Sequence, residues 1–219
     1  MRPYLLMLLF LLVVSGLLLI DPEATAHMTK ETGIIEVATA VMYVILIAMI
    51  LFFAQPGWSV GKYWYALMAG LLLCRELDFD KIFTTLGIFK GRFYTSPDVP
   101  AVEKVVAIVV VLAIAGAVMF TFVKSRKILF EGIVKMDPIH MGILVAFCLA
   151  VISKLVLDGL PRKLEKIGVA GSDYLIAHHG KVEEVLELVI PMALIIATLL
   201  TQNKLFGTRG SFESCLQQE

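Results

Sequence analysis

Uncharged apolar runs alternate with short charged segments along this chain, and the lengths of the runs decide the class of protein. A helix of roughly 20 mostly apolar residues crosses about 30 Å of hydrocarbon in a bilayer. Residues 3–20 carry no charge between Arg2 and Asp21, and residues 37–61 none between Glu36 and Lys62. The same holds for 105–123, closed by Lys124-Ser125-Arg126-Lys127, and for 188–203, which follows Glu187. Two further runs are interrupted: 63–74 stops at Arg75-Glu76-Leu77-Asp78-Phe79-Asp80, and the run after Asp137-Pro138 meets Lys154 and Asp158. In lipid only helices and closed barrels satisfy the backbone, and these runs lack the alternation of barrel strands. The pattern predicts an all-α polytopic integral membrane helical bundle, a single domain over 1–219. About six transmembrane helices are expected, near 3–20, 33–55, 63–80, 104–123, 139–158 and 182–202.

Between the third and fourth spans, 81–100 holds Ile82, Phe83, Leu86, Phe89 and Phe93 at roughly helical spacing, interleaved with Lys90 and Arg92. That spacing predicts an amphipathic helix in the interface, with aromatic rings in the acyl layer and cations at phosphates. A shorter piece of the same kind is expected at 160–167, with Arg162, Lys163 and Lys166. The first span has a rival reading as a secretory signal, with Arg2 before the apolar core and Ala24-Thr25-Ala26 as a cleavage site. Its uncharged run, 3–20, is longer than the typical signal core of about 7–15 residues, which favours a retained helix.

Composition agrees with the pattern and removes several classes. Hydrophobic residues make up 59% of the chain and charged residues 17%, with a mean hydropathy of +0.88. That is more apolar surface than one soluble core hides. Nineteen Lys and Arg balance nineteen Asp and Glu, and no basic run offers a footprint for nucleic acid. Cys74, Cys148 and Cys215 are widely separated, so neither a disulfide framework nor a thiolate zinc site is expected.

Six alternating spans put nearly all intramembrane charge at one end of the bundle. Glu31 and Glu36 open span two there; Arg75, Glu76, Asp78 and Asp80 close span three; Lys154 and Asp158 close span five; His178, His179, Glu183, Glu184 and Glu187 open span six. Ionisable groups within membranes are costly and face one another or a wet cavity. Glu76 with Asp80, and Lys154 with Asp158, stand four residues apart on one helical face. His179, Glu183 and Glu187 form a ladder at i, i+4 and i+8, with Glu184 about 100° round the helix. Thr39 and Tyr43 follow Glu36 on one face of span two and extend the polar stripe towards the midplane. Pro191 lies one turn beyond Glu187, where it removes a helical hydrogen bond and predicts a kink.

Three readings fit this convergence. In the first, His179, Glu183 and Glu187 hold a divalent transition metal, zinc above all, as carboxylate–histidine bundles do. The site is then a metal-dependent hydrolase or transferase acting on a lipid or lipid head group. Glu76, Asp78 and Glu184 are its catalytic carboxylates, and Arg75, Lys154, Asp158 and Glu36 its substrate-binding residues. The second is a proton- or cation-coupled transporter in which neighbouring carboxylates share protons, although nothing charged occupies the middle of spans one, four or six. The third is a non-catalytic membrane subunit whose Arg75 and Lys154 pair with Glu76, Asp158 and Glu187 in a buried ionic network.

Recognised catalytic patterns do not choose among them. His178-His179-Gly180-Lys181-Val182-Glu183 is not the H-x-x-x-H pair of polytopic zinc hydrolases of the alkaline ceramidase and adiponectin-receptor type. H-E-x-x-H, G-x-S-x-G and the Walker loop are absent too. His27 reads as a loop histidine and His140 as interfacial. Eleven of the nineteen Lys and Arg fall on the charged face, yet Arg2 before span one and Asp21-Pro22-Glu23 after it fit a cytoplasmic start. The expected setting is a bacterial inner membrane, with the polar site near the outer face. Membrane lipid is the expected partner, with a homo-oligomer or a membrane-complex subunit as further candidates.

Overall fold

The computed structural model describes residues 2–20, 33–53, 59–157, 159–166, 168 and 173–216. Among them every regular element is a helix: α1 (Arg2–Ile20), α2 (Ile34–Phe53), α3 (Ser59–Glu76), α4 (Phe79–Phe83), α5 (Gly91–Thr95), α6 (Ala101–Val134), α7 (Pro138–Val151), α8 (Leu160–Lys166) and α9 (Asp173–Leu216). Within these residues four helical stretches are long and apolar enough to cross a membrane: Arg2–Ile20, Ile34–Phe52, Ala101–Val134 and His178–Thr201. They are four of the six expected spans. The other two form helices with different limits. α3 has 18 residues but includes Lys62, Arg75 and Glu76, and it stops at Glu76, short of 80, because Asp78 takes a left-handed backbone conformation at φ 46°. α7 is regular for only 14 residues and then passes into a π-helical turn, Ile152–Leu157.

α9 is the central helix, packing on α7, α2 and α1. Its apolar stripe supplies Leu186, Val189, Ile190 and Ala193 to a core completed by Tyr4 and Met7 of α1 and by Ala146 and Leu149 of α7. Val185 meets Leu18 and Ile35, joining α1 and α2. Leu194 and Ile195 pack against Tyr43, Leu46 and Ala69, joining α2 and α3. Small residues set the tightest approaches. A Cβ at Gly142 would overlap the Tyr4 ring and hydroxyl, so α1 can lie against α7 only because that position is glycine.

α6 behaves differently. Its apolar stretch is almost wholly exposed, with only 6% of it buried, as suits a helix facing lipid. The helix also runs to Val134, through Lys124-Ser125-Arg126-Lys127, which were expected to begin a connection. Lys and Arg are good helix formers, so a charge cluster ends a hydrophobic run without ending the helix. Trp64 of α3 donates to Thr121 of α6 at 2.7 Å and meets Phe120 edge-on. Lys62 and Lys124 lie over the rings of Tyr63 and Phe120, an arrangement of aromatic residues and cations suited to a membrane boundary.

The segment expected as one amphipathic helix over 81–100 is instead two single-turn helices, α4 and α5, joined by a turn at Gly87, φ 72°. Only glycine takes that angle without strain. The second amphipathic piece is present as α8. His27, Ala24-Thr25-Ala26 and Asp158 lie outside the described residues.

Candidate functional site

Four elements bring their charges together at one end of the bundle: the start of α2, the end of α3, the π-helical turn after α7, and the first part of α9. Lys154 lies in the π-helical turn and reaches across to α9, where its Nζ meets Glu183 Oε1 at 2.9 Å and also contacts Glu187. Glu183 and Glu187 are one turn apart, so a single ammonium can join both. Ser153 Oγ, fully buried, donates to Glu187 Oε1 at 3.2 Å. Arg75 at the end of α3 approaches the same Glu187 oxygen at 3.6 Å and its neighbour Glu76 at 3.8 Å. Glu187 is therefore the hub, 8% exposed and met by α3 and by the π-helical turn.

Among the described residues the carboxylates outnumber the cations around it. Glu184 lies close enough to Glu36, Glu183 and Glu187 to feel their charges, with Lys154 on the favourable side. Glu76 stands in the field of Glu187 and Glu184. Tyr43, buried between α2 and α3, is within reach of Glu76, Glu187 and Arg75. Thr39 is fully buried, but its hydroxyl donates to the Ile35 carbonyl at 2.9 Å, so its proton is spent on its own helix. Pro191, also buried, has no N–H to give to the carbonyl of Glu187, which leaves a backbone acceptor beneath the hub.

The structure thus gathers Glu36, Arg75, Glu76, Lys154, Glu183, Glu184 and Glu187. It places Asp78 elsewhere, in the turn after α3, where it takes the ammonium of Lys81. Asp80 turns into the following loop and accepts the Ile88 N–H at 2.9 Å. Lys154 pairs across to Glu183 and Glu187 of α9, while Asp158, also expected as a partner, lies outside the described residues. His178 packs edge-on against Tyr174, while His179 stands one turn before Glu183 on α9. Among the described residues, no three His, Cys, Asp or Glu side chains converge as a ready metal-ligand set. Lys154 takes up oxygens of the ladder expected to hold zinc, so ligation by His179, Glu183 and Glu187 together requires Lys154 to withdraw.

Ser153 was not anticipated. A serine in an apolar run is a weak signal, and it turns towards α9 because the helix widens there into a π-helical turn. Turns of this kind recur at functional sites. No family model, curated protein or solved structure matches the chain.

Proposed function

We propose that six helices of this chain cross a membrane, and that its glutamate cluster holds a divalent cation used for hydrolysis or transfer at a lipid head group. The observation that supports this reading is the excess of carboxylates over cations among the described residues of the cluster. Glu36, Glu76, Glu183, Glu184 and Glu187 stand with Arg75 and Lys154. Carboxylates held this close together repel one another, so an excess of them invites protons or a cation.

The residue types in the cluster are ones that bind divalent cations. Glu184, Glu36 and Glu76 offer oxygen donors, and His179 adds a nitrogen donor of the kind zinc accepts. A divalent cation there polarises a phosphoryl or carbonyl oxygen and lowers the pKa of water. Glu184 would serve as the acceptor of a proton from that water. Arg75, with its side chain 42% exposed, offers a planar fork to a phosphate. Lys154 already serves two carboxylates and acts as a positioning residue. α3 is long enough but carries Lys62, Arg75 and Glu76, and the Pro138–Lys154 helix is short, but each ends in residues of this cluster, where long side chains can reach head-group depth, so they can complete the six crossings. Arg2 and the acidic segment after α1 favour an inner membrane with the cluster towards the outer leaflet.

One observation favours a second reading: Arg75 and Lys154 tie α3, the π-helical turn and α9 together, which suits a non-catalytic subunit held by its ions. The experiment that separates the two is turnover by the full chain reconstituted with phospholipids of defined head group and added zinc or manganese. The reading expects head-group release that falls about 100-fold or more in Glu184→Gln and Glu76→Gln. No turnover with any phospholipid, and variants that lose only heat stability, would leave the network as the function.

A further inference from the structure

The segment between α3 and α6 is a small ordered lobe with a core of its own. Ile88, Phe93 and Val99 are buried against Ala107, with Val111 of α6 beside them. Thr85 gives its N–H and hydroxyl to Glu103 at 2.7 and 3.0 Å, Tyr94 donates to the Ile88 carbonyl at 2.8 Å, and Lys104 donates to the Ser96 carbonyl at 2.7 Å. These bonds fix how deep the lobe sits. The uncharged stretch of α6 begins at Val105, and at about 1.5 Å per residue Ala107 and Val111 lie roughly 3 and 9 Å into it. A lobe packed on those residues stands beside the outermost turns of a membrane-crossing helix.

Its outer surface matches that depth. Phe79, Ile82, Phe83 and Phe89 are exposed, Phe83 at 70%. The acids of the lobe are turned to its own groups: Asp78 to Lys81, Asp80 to the Ile88 N–H, Asp98 to the Ser96 hydroxyl. Lys90 and Arg92, both exposed, stand one and three residues after Phe89, and their side chains make no hydrogen bond or ion pair among the described residues. Apolar side chains flanked by two such cations complement an anionic head group above an acyl chain.

We propose that this lobe is a docking surface for anionic phospholipid: Phe79, Ile82, Phe83 and Phe89 enter the acyl layer while Lys90 and Arg92 hold lipid phosphates. It gathers anionic lipid at the end of the bundle that carries the glutamate cluster. The inference rests on the membrane placement of α6 and is independent of the chemistry proposed for the cluster.

The test uses the full chain in liposomes of phosphatidylcholine with and without phosphatidylglycerol. Phe83→Trp, in a background with Trp58 and Trp64 changed to Phe, is expected to be quenched most by lipids brominated near the head group. Lipid retained by the purified protein is expected to favour phosphatidylglycerol by about 5-fold for each cation. Lys90→Gln with Arg92→Gln abolishes that preference, and the Lys90→Arg with Arg92→Lys pair keeps it. Three results overturn the proposal: an unquenched tryptophan, quenching replaced by concentration-dependent self-association, or a phosphatidylglycerol preference unchanged in the Gln pair. Extraction of the protein by alkaline carbonate would instead show that the membrane placement itself is wrong.

Discussion

Glu187 concentrates the energetics of the site in one side chain. It is nearly buried and receives Lys154, Arg75 and Ser153. Removing one partner of a buried pair leaves the other charge stranded, which costs about 3–5 kcal/mol when both are fully buried. The Lys154 side chain is 33% exposed, so Glu187→Ala should destabilise by less, about 2–3 kcal/mol. Lys154→Met combined with Glu187→Met should lie closer to the parent than either single change. Unfolding in mild detergent measures both, and single variants as stable as the parent would show that the pair holds nothing. At this scale the residue types were legible: costly ions in apolar runs face one another, and the i, i+4 spacing of Glu183 and Glu187 put both on one stripe. Glu187 was legible as a partner of Arg75 and Lys154. That Lys154 also reaches Glu183 was not, because that contact depends on the packing of α7 against α9.

At the scale of elements, glycine and the irregular turn set what hydropathy cannot. A Cβ at Gly142 overlaps Tyr4, so Gly142→Ala should push α1 from α7 and cost about 1–3 kcal/mol, with partial recovery when Tyr4→Phe removes the hydroxyl. Thermal unfolding of the single and double variants measures this. Gly87→Ala should strain the turn at φ 72° and crowd the Asp80 carboxylate, 2.9 Å from a Cβ there, and so loosen the lobe over 79–99. Faster amide exchange confined to that segment is the expected readout; unchanged exchange would mean that the turn is not what holds it. The four long apolar helices were plain in the sequence because each carries an uncharged run of several helical turns. The π-helical turn was not, since Ile152-Ser153-Lys154-Leu155-Val156-Leu157 contains neither Pro nor Gly to mark a break. The lobe was half legible: its apolar spacing was visible, but the glycine turn that divides it into α4 and α5 is a matter of one backbone angle.

At the scale of the whole molecule, the number of crossings decides which surfaces share a compartment. If α3 and the Pro138–Lys154 helix both cross, Lys62 and Ser96 lie on opposite sides of the membrane. If only the four long apolar helices cross, the two positions lie on the same side. With Cys74, Cys148 and Cys215 replaced, Lys62→Cys and Ser96→Cys should react with an impermeant thiol reagent from opposite sides, and labelling from the same side would remove α3 from the crossings. The gathering of charge at one end was anticipated from alternating spans without any contact being known, and the ion pairs joining α3, the π-helical turn and α9 show the charges together.

The central claim is that the surplus of carboxylates around Glu184 holds a cation. Elemental analysis tests it most directly, on the full chain purified in mild detergent without chelator or a metal-affinity tag. The account predicts about one equivalent of a divalent metal, lost in Glu184→Gln and retained in Lys154→Met, where a competing ammonium has been removed. Absence of stoichiometric metal from the parent protein would contradict it and leave protons and the ionic network to balance the cluster.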